Sequence, residues 1–508
     1  MRIIRHAWLA SVLLALAAGS CTENGNGSGD DENGKSYNKK IDSYLVERYL
    51  WNDEYKQLTR DLHTEYTNDD NNLLTVTLMG MTTNTLDKKR YTANGQSYYR
   101  LYSYIKRTAD SRTQLGLASR GVNHGVKKEL EYSFGFAKLG VVKLTGTGKV
   151  GFYIMAVYPG SPADKAGFER GTILSEIDGA TIDDSESVYM AIYKKLTAPT
   201  GVSTVSFKEY KGTAESIRLT AELLYPNPVV HAEIIDDESH KVGYLVYNSF
   251  DAAYDDALLD SLRKFKDAEI TDMVLDLRYN GGGHVISSKM LATCIAGEAC
   301  RNEVFQYYRY NEDRMANPTK TQQQTGNTYK SDKNLFYENF SYGNYYGVDL
   351  TQYTLDLPRL YVLTSGSTAS SSEAVINGLR GIGIPVTLIG EKTNGKNVGM
   401  EVDKFDDGDY SYELTPITFQ GYNVREETVP ASGFTVDYTE TEWNNGLVDF
   451  GPTEPLLAKA LNLITGKTYT PAPARSAAAG ILSAVDIARP DDSRRPSGML
   501  ALPPQDGE

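Results

Sequence analysis

Three stretches of this 508-residue chain place reactive or anion-accepting groups at the ends of apolar runs. The first, LDLRYNGGG at 275–283, leads an apolar segment into Gly281, Gly282 and Gly283, and consecutive glycines let backbone N–H groups approach a developing negative charge. The second, YVLTSGSTASSSEAVINGL at 361–379, ends a strand pattern in a Ser-rich turn and opens a helix pattern close to Ser370. A hydroxyl there sits at the positive end of a helix with the next N–H facing the same point, which suits a nucleophile; it equally suits an N-cap, the common duty of Ser at a helix start. The third, GEKTNGKN at 390–397, fits the phosphate-cradling pattern G-x-x-x-x-G-K, but Asn397 stands where a magnesium-holding Ser or Thr belongs and no helix pattern follows. Lys396 is therefore read as a proton acceptor for a Ser hydroxyl. That duty needs a neutral amine, and lowering a Lys pKa from about 10.4 to about 7 to 8 costs roughly 4 kcal/mol, which only a desolvated pocket supplies. A solvated surface Lys is the alternative, and His284, directly after the glycines, is a rival base.

The elements that must position these loops follow from periodicity. From about 241 the chain alternates apolar strands with helices of 10 to 14 residues, as in KVGYLVYNSF, DDALLDSLRKFKDA and DMVLDLRYNGGG, which predicts βα units around a buried sheet. Residues 37–112 carry helix-like spacing in YNKKIDSYLVERYLWNDEYKQL and are expected to form an N-terminal helical domain. Between them, FGFAKLGVVKL and the segment YPGSPADKAGFERGTILSEIDG read as short strands with a short helix started by the Pro-Gly-Ser-Pro turn and ended by Gly167, and a hairpin at Asp178-Gly179. Beyond 467 the chain is Ala/Pro/Arg/Ser-rich and is expected to be disordered.

The segment from Tyr158 to Gly179 resembles PDZ domains. That resemblance implies a domain over 134–226 in which a peptide adds as a strand, its carboxylate meeting backbone N–H groups of the SFGF loop around Gly135 and Phe136; a purely internal packing module is the alternative. The three loops together, DLRYNGGG, TASSSE and TNGK in that order, resemble the C-terminal processing peptidase family of Ser/Lys proteases, over roughly 134–466. The fold class expected is thus multidomain α/β (α+β): the N-terminal helical domain, the PDZ-like domain, and a crotonase/Clp-protease-like catalytic core over 228–466. The resemblance assigns the nucleophile to Ser370, the general base to Lys396, and the oxyanion donors to the backbone N–H groups of Ser371, Gly282 and Gly283. Arg278, Asn280 and Glu373 match the motifs in supporting positions. Two departures stand out: Thr368 replaces the first of three alternating motif serines, and Met400 stands where the family often has a Gln that orients the amine. The activity implied is an endopeptidase acting near accessible C-termini or in unstructured segments, without a cofactor. The alternative is a catalytically weak peptide- or glycan-binding surface lipoprotein that keeps the fold.

Composition narrows the partners. A net charge of −14, with no basic run, argues against nucleic acid. The start, MRIIRHAWLASVLLALAAGSC, has an export-signal pattern over 1–20 whose ending resembles a lipoprotein site at Cys21; plain secretion is the alternative. Residues 21–36 then read as a flexible tether, so a lipid anchor is the expected membrane contact and the outer membrane, facing periplasm or cell surface, the expected location. In an oxidising space Cys294 and Cys300 could pair as a small-loop disulfide, two buried thiols being the alternative. No Cys/His spacing predicts a metal site.

Overall fold

In the computed structural model, residues 33–59, 77–93, 96–109, 117–118, 122–144, 148–199, 201–209, 216–407, 410–443, 446–473, 482–484 and 498–501 are described. The signal segment, Cys21 and most of the expected tether lie outside them.

The N-terminal part opens with α1 (Asn33–Arg48) and α2 (Asn52–Thr59), whose Ile41, Leu45, Tyr49 and Tyr55 are buried as the helical spacing predicts. It is not helical throughout. Lys88–Ala93 (β1) and Gln96–Leu101 (β2) form an antiparallel hairpin, and Tyr104–Ala109 (β3) leaves it altogether. The reason is local: KKRYTA and QSYYRL are Tyr- and Thr-bearing runs around an Asn94-Gly95 dipeptide, the strongest short-range hairpin signal.

The PDZ-like part is built on Phe136–Leu144 (β4), Lys149–Val157 (β5), the short helix Pro162–Lys165 (α3), Ile173–Ile177 (β6), Ala180–Asp183 (β7), Glu186–Thr197 (α4), Thr204–Glu209 (β8) and Ile217–Thr220 (β9). Ser161 caps α3 through its side chain. Phe134, Phe136, Phe152, Phe168 and Phe207 close a core of their own.

The third part carries the βα units. Val229–Asp237 (β10) pairs antiparallel with His240–Tyr247 (β11); then come Asp255–Asp267 (α5), Asp272–Asp276 (β12), Gly282–His284 (β13), Val285–Ala296 (α6), Val304–Arg309 (β14), Thr328–Lys330 (β15), Leu335–Asn339 (β16), Leu360–Thr364 (β17), Ser371–Gly381 (α7), Val386–Gly390 (β18), Val398–Glu401 (β19), Asp403–Asp407 (β20), Tyr410–Thr415 (β21), Ile417–Tyr422 (β22), Tyr438–Thr439 (β23) and Pro455–Thr465 (α8). The main sheet runs β10-β11-β12-β17-β18-β23, parallel from β11 onward. Both faces are covered, because a strand alternates its side chains. Leu275, Val362 and Leu388 pack toward α5, α6 and α7, while Val274, Tyr361, Leu363 and Ile389 pack toward α8.

Two further strands depart from the expectation of a disordered 467–508 segment, of which residues 474–481, 485–497 and 502–508 lie outside the described ones. Leu482–Ala484 (β24) adds antiparallel to β4, and Gly498–Ala501 (β25) enters a second sheet ordered β13-β25-β19-β22-β14-β16-β15. Strand addition of this kind is driven by backbone pairing, which averaged composition does not register. In a third sheet, β20-β21-β3, the N-terminal β3 lies on β21 with Tyr104 opposite Thr415 and Ile105 opposite Leu414. The Cys294–Cys300 disulfide is absent: both thiols are free and buried, Cys294 within α6 and Cys300 donating to the Gly297 carbonyl at 3.1 Å. Burial pushes the Cys300 thiol up to about 12, so it stays protonated.

Candidate active site

The three motif loops leave the carboxyl ends of β12, β17 and β18, which are consecutive neighbours in the parallel sheet. Ligand sites of open α/β sheets form at that end. Backbone and hydroxyl contacts then stitch the loops together. Ala369 N–H and Ser372 Oγ donate to the Asn280 carbonyl at 3.2 and 3.0 Å, Thr368 Oγ1 donates to Leu277 O at 2.9 Å, and Ser371 Oγ donates to Gly283 O at 2.7 Å. Asn394 N–H donates to Thr368 O at 2.9 Å, tying the Lys396 loop to the Ser loop. The Thr368 departure is accommodated, since its hydroxyl makes one of these bonds.

Ser370 is fully buried, and its Oγ has no hydrogen-bond partner among the described residues. It stands at the N-cap position of α7, where the Glu373 carboxylate accepts from its backbone N–H, so the cap position and the positive end of the helix fall on the same residue. Its backbone is held at φ 61°, ψ −112°, a conformation L-residues rarely adopt and keep only where their surroundings enforce it. The enforcement is visible in Glu373, one turn into α7. Its Oε2 accepts from Ser370 N–H at 2.8 Å and Lys396 N–H at 2.9 Å; its Oε1 accepts from Gly395 N–H at 2.7 Å and Thr393 Oγ1 at 2.6 Å. One buried carboxylate thus fixes the backbones of both dyad candidates. Burial pushes its pKa up, and those four donors oppose the rise.

Lys396 is buried too. Its Nζ lies 4.0 Å from Met400 Sδ and 4.4 Å from the centroid of the Tyr102 ring. Position 400 therefore does face the amine, but it presents a thioether, a weak acceptor, where a Gln would present a carbonyl. Glu401 does not take over: its carboxylate accepts from Arg314 at 2.8 and 3.0 Å. The N-terminal part closes this side instead. Tyr102 OH donates to Asn394 Oδ1 at 2.9 Å, Lys89 Nζ donates to the Asn394 carbonyl at 2.9 Å, and Asp87, whose pKa burial raises, accepts from Tyr49 OH at 2.7 Å and from Ser103 Oγ at 2.7 Å. Asn394 falls within TNGK, whereas Tyr102 and Lys89 lie outside every motif; the Tyr-rich run of 96–102 points to Tyr102, and no sequence signal points to Lys89.

Of the oxyanion candidates, Gly282 is the weakest, because its N–H donates to Asn280 Oδ1 at 2.9 Å. Gly283, at φ 137°, lies so close to the Phe250 carbonyl that a Cβ would approach it to 2.2 Å. Ser371 opens α7, so its N–H is one that a helix cannot satisfy internally. His284 is engaged with the 250–252 turn: its Nδ1 accepts from Ala252 N–H at 3.1 Å, and burial lowers its pKa to about 4.

Behind the loops, buried Arg278 binds Glu454 at 2.5 and 3.0 Å and Asp276 at 2.9 Å, while Arg170 of the PDZ-like part binds Glu442 at 2.9 Å and the Val448 carbonyl at 2.8 Å. Gly135, at φ 101°, donates its N–H to Ser133 Oγ at 3.0 Å and accepts from Tyr158 N–H at 2.8 Å; Phe136 begins β4.

Residues 241–431 match the model of peptidase family S41, and residues 153–196 that of a PDZ domain. Among curated proteins the chain is 28% identical over 142 residues to Carboxyl-terminal-processing peptidase 3, chloroplastic, of Arabidopsis thaliana, covering 26% of this chain and 27% of that protein. It is 29% identical over 253 residues to the Carboxyl-terminal-processing protease of Picosynechococcus sp., covering 49% of this chain and 52% of that protein. The match thus spans no more than about half the length of these relatives. Among solved structures, a Bacteroides fragilis NCTC 9343 chain described as an S41 protease aligns with TM-score 0.60 and 26% identity, over 84% of this chain and 97% of that one.

Proposed function

We propose that this chain, which matches peptidase family S41 over residues 241–431 and a PDZ domain over residues 153–196, is an exported serine endopeptidase working through Ser370 and Lys396. Ser370 Oγ attacks a peptide carbonyl while Lys396, as a neutral amine, takes its proton. The oxyanion is met by the N–H groups of Ser371 and Gly283. The C–N bond then breaks, the amine leaves with the proton from Lys396, and water hydrolyses the acyl-enzyme. The observation that carries this reading is the pairing of a buried, unpartnered hydroxyl on a strained backbone with a buried amine, the two backbones being anchored on one carboxylate. Substrates are peptide or protein segments with accessible C-termini or without stable structure, docked at the Gly135–Phe136 loop. Export, lipidation at Cys21 and an outer-membrane location belong to the same proposal.

Ser370 Oγ has no partner among the described residues, and catalytic hydrogen bonds of ligand-free sites are often long and tighten only with substrate bound. The same observation, with Met400 facing the amine, favours a second reading: a peptide-binding lipoprotein with little turnover. Fluorescein-casein cleavage separates them. Under the first reading Ser370→Ala and Lys396→Ala each abolish turnover while the fold survives, and a fluorophosphonate labels Ser370 in the parent chain. Full turnover in either variant overturns the dyad. Release of Cys21→Ser from the membrane fraction tests the anchor; unchanged retention overturns it.

A further inference from the structure

The strand Gly498–Ala501 lies between the two walls of the site just described. Its backbone pairs parallel with β13, Gly498 opposite Gly282, Met499 opposite Gly283 and Leu500 opposite His284. On its other side it pairs parallel with β19, Met499 opposite Gly399, Leu500 opposite Met400 and Ala501 opposite Glu401. One wall therefore carries the glycine loop, to which Ser371 Oγ is bonded, and the other continues directly from Lys396. Among the described residues no other strand joins β13 to β19, so without β25 the two would face each other across a gap one strand wide, roughly 9 to 10 Å. The segment also packs against α6 and against α7, the helix that begins after Ser370.

A second stretch of the same region behaves alike. Leu482–Ala484 adds antiparallel to the edge of β4, the strand that leaves the Gly135–Phe136 loop, with Leu482 opposite Leu144 and Ala484 opposite Val142. Both places where a peptide would add by strand pairing thus hold a strand of this chain. The residues suit the role: Gly-Met-Leu-Ala is uncharged, and Pro496 before it and Pro503 and Pro504 after it bound a short strand, because Pro cannot donate to a ladder.

We propose that residues 498–501 are a built-in occupant of the peptide slot between β13 and β19, excluding substrate until they are displaced. The proposal rests on the peptidase reading for what the slot does, and on strand pairing alone for what fills it. A tethered segment whose own Kd for the slot is about 100 μM, acting at an effective concentration of about 1 mM, would weaken a competing free peptide about tenfold.

The test uses the full chain in a Ser370→Ala background, with and without Met499→Pro and Leu500→Pro, since two prolines cannot hold a central strand. The probe is a fluorescein-labelled peptide Ser-Gly-Met-Leu-Ala-Leu, followed by anisotropy. The expected result is binding about tenfold tighter to the proline variant. Equal affinity for both chains, or no binding to the variant, overturns the proposal. Hydrogen exchange on the unmutated chain guards against misfolding of the variant: amides of 498–501 should exchange at least tenfold slower than their intrinsic rate, and exchange at that rate overturns it. Casein cleavage, measured with Ser370 restored, keeps the two readings apart. Tighter peptide binding with no cleavage by either chain leaves the occupant standing and removes the peptidase; cleavage by both with equal peptide affinity does the reverse.

Discussion

Replacing Glu373 by Gln changes one atom at the point where the Ser370 and Lys396 loops meet. Each carboxylate oxygen accepts two donors: Ser370 N–H and Lys396 N–H at one, Gly395 N–H and Thr393 Oγ1 at the other. An amide has a single acceptor oxygen. The less damaging orientation keeps that oxygen on Ser370 and Lys396, lets the Thr393 hydroxyl rotate to accept, and leaves Gly395 N–H facing an amide nitrogen. Losing a charge-assisted bond and stranding a buried donor costs about 2 to 4 kcal/mol, partly offset because no charge is then buried. The expected stability loss is therefore about 2 kcal/mol, read from the urea midpoint. Gly395 adjoins Lys396, so the base shifts with it, and a displacement of even 1 Å at a reacting group can cost about a hundredfold in rate. Casein turnover should show kcat lowered about a hundredfold with KM nearly unchanged. A Glu373→Gln chain that loses stability yet keeps kcat within threefold of the parent would refute the claim that this carboxylate positions the dyad.

Gly395→Ala should act on the same loop by another route: a Cβ would come within 2.3 Å of the Ala431 carbonyl, at φ 88°, so both stability and kcat should fall, the former by about 2 kcal/mol or more in thermal unfolding. Gly135→Ala would bring a Cβ to 2.0 Å from Ser161 Oγ and deform the expected peptide-docking loop; with a casein substrate KM should rise several-fold while kcat holds. Asp251 has its pKa raised to about 7, chiefly by burial and further by Asp255. Its folded form keeps a proton that the unfolded chain releases near pH 4, so stability should fall as pH rises from about 4 to about 7, by an amount on the order of 4 kcal/mol. Asp251→Asn should flatten that slope in urea titrations across the window; an unchanged slope would show that another group sets it.

The parallel core was legible because βα alternation is a strong pattern, and because glycine runs and a Ser-rich turn at strand ends are local signals. DLRYNGGG, TASSSE and TNGK each name a loop, and the sheet order brings the loops together as the motif order suggests. What could not be read was anything built from distant partners. The helix pattern of 37–58 held, but β3 exists because it finds β21, and nothing near residue 104 announces residue 415. Composition hid the tail strands for the same reason, since GMLA becomes a strand only between β13 and β19. Of the two readings open for Cys294 and Cys300, a disulfide in an oxidising space or two buried thiols, the fold takes the second: helix α6 buries one thiol and a carbonyl takes the other. Glu373 was visible as a motif residue, but its hold on Lys396 depends on a loop more than twenty positions away.

The pairing of β3 with β21, and the Tyr102 ring set over Lys396, also bear on how the molecule comes into being. Synthesis proceeds from the N-terminus at about 5 to 20 residues per second. The strand at 104–109 therefore waits on the order of 15 to 60 s for the roughly 300 residues that precede its partner. Throughout that interval Ser370 and Lys396 are unmade or unenclosed, so no reactive pocket accompanies the nascent chain. The site is completed last, by a wall that was translated first.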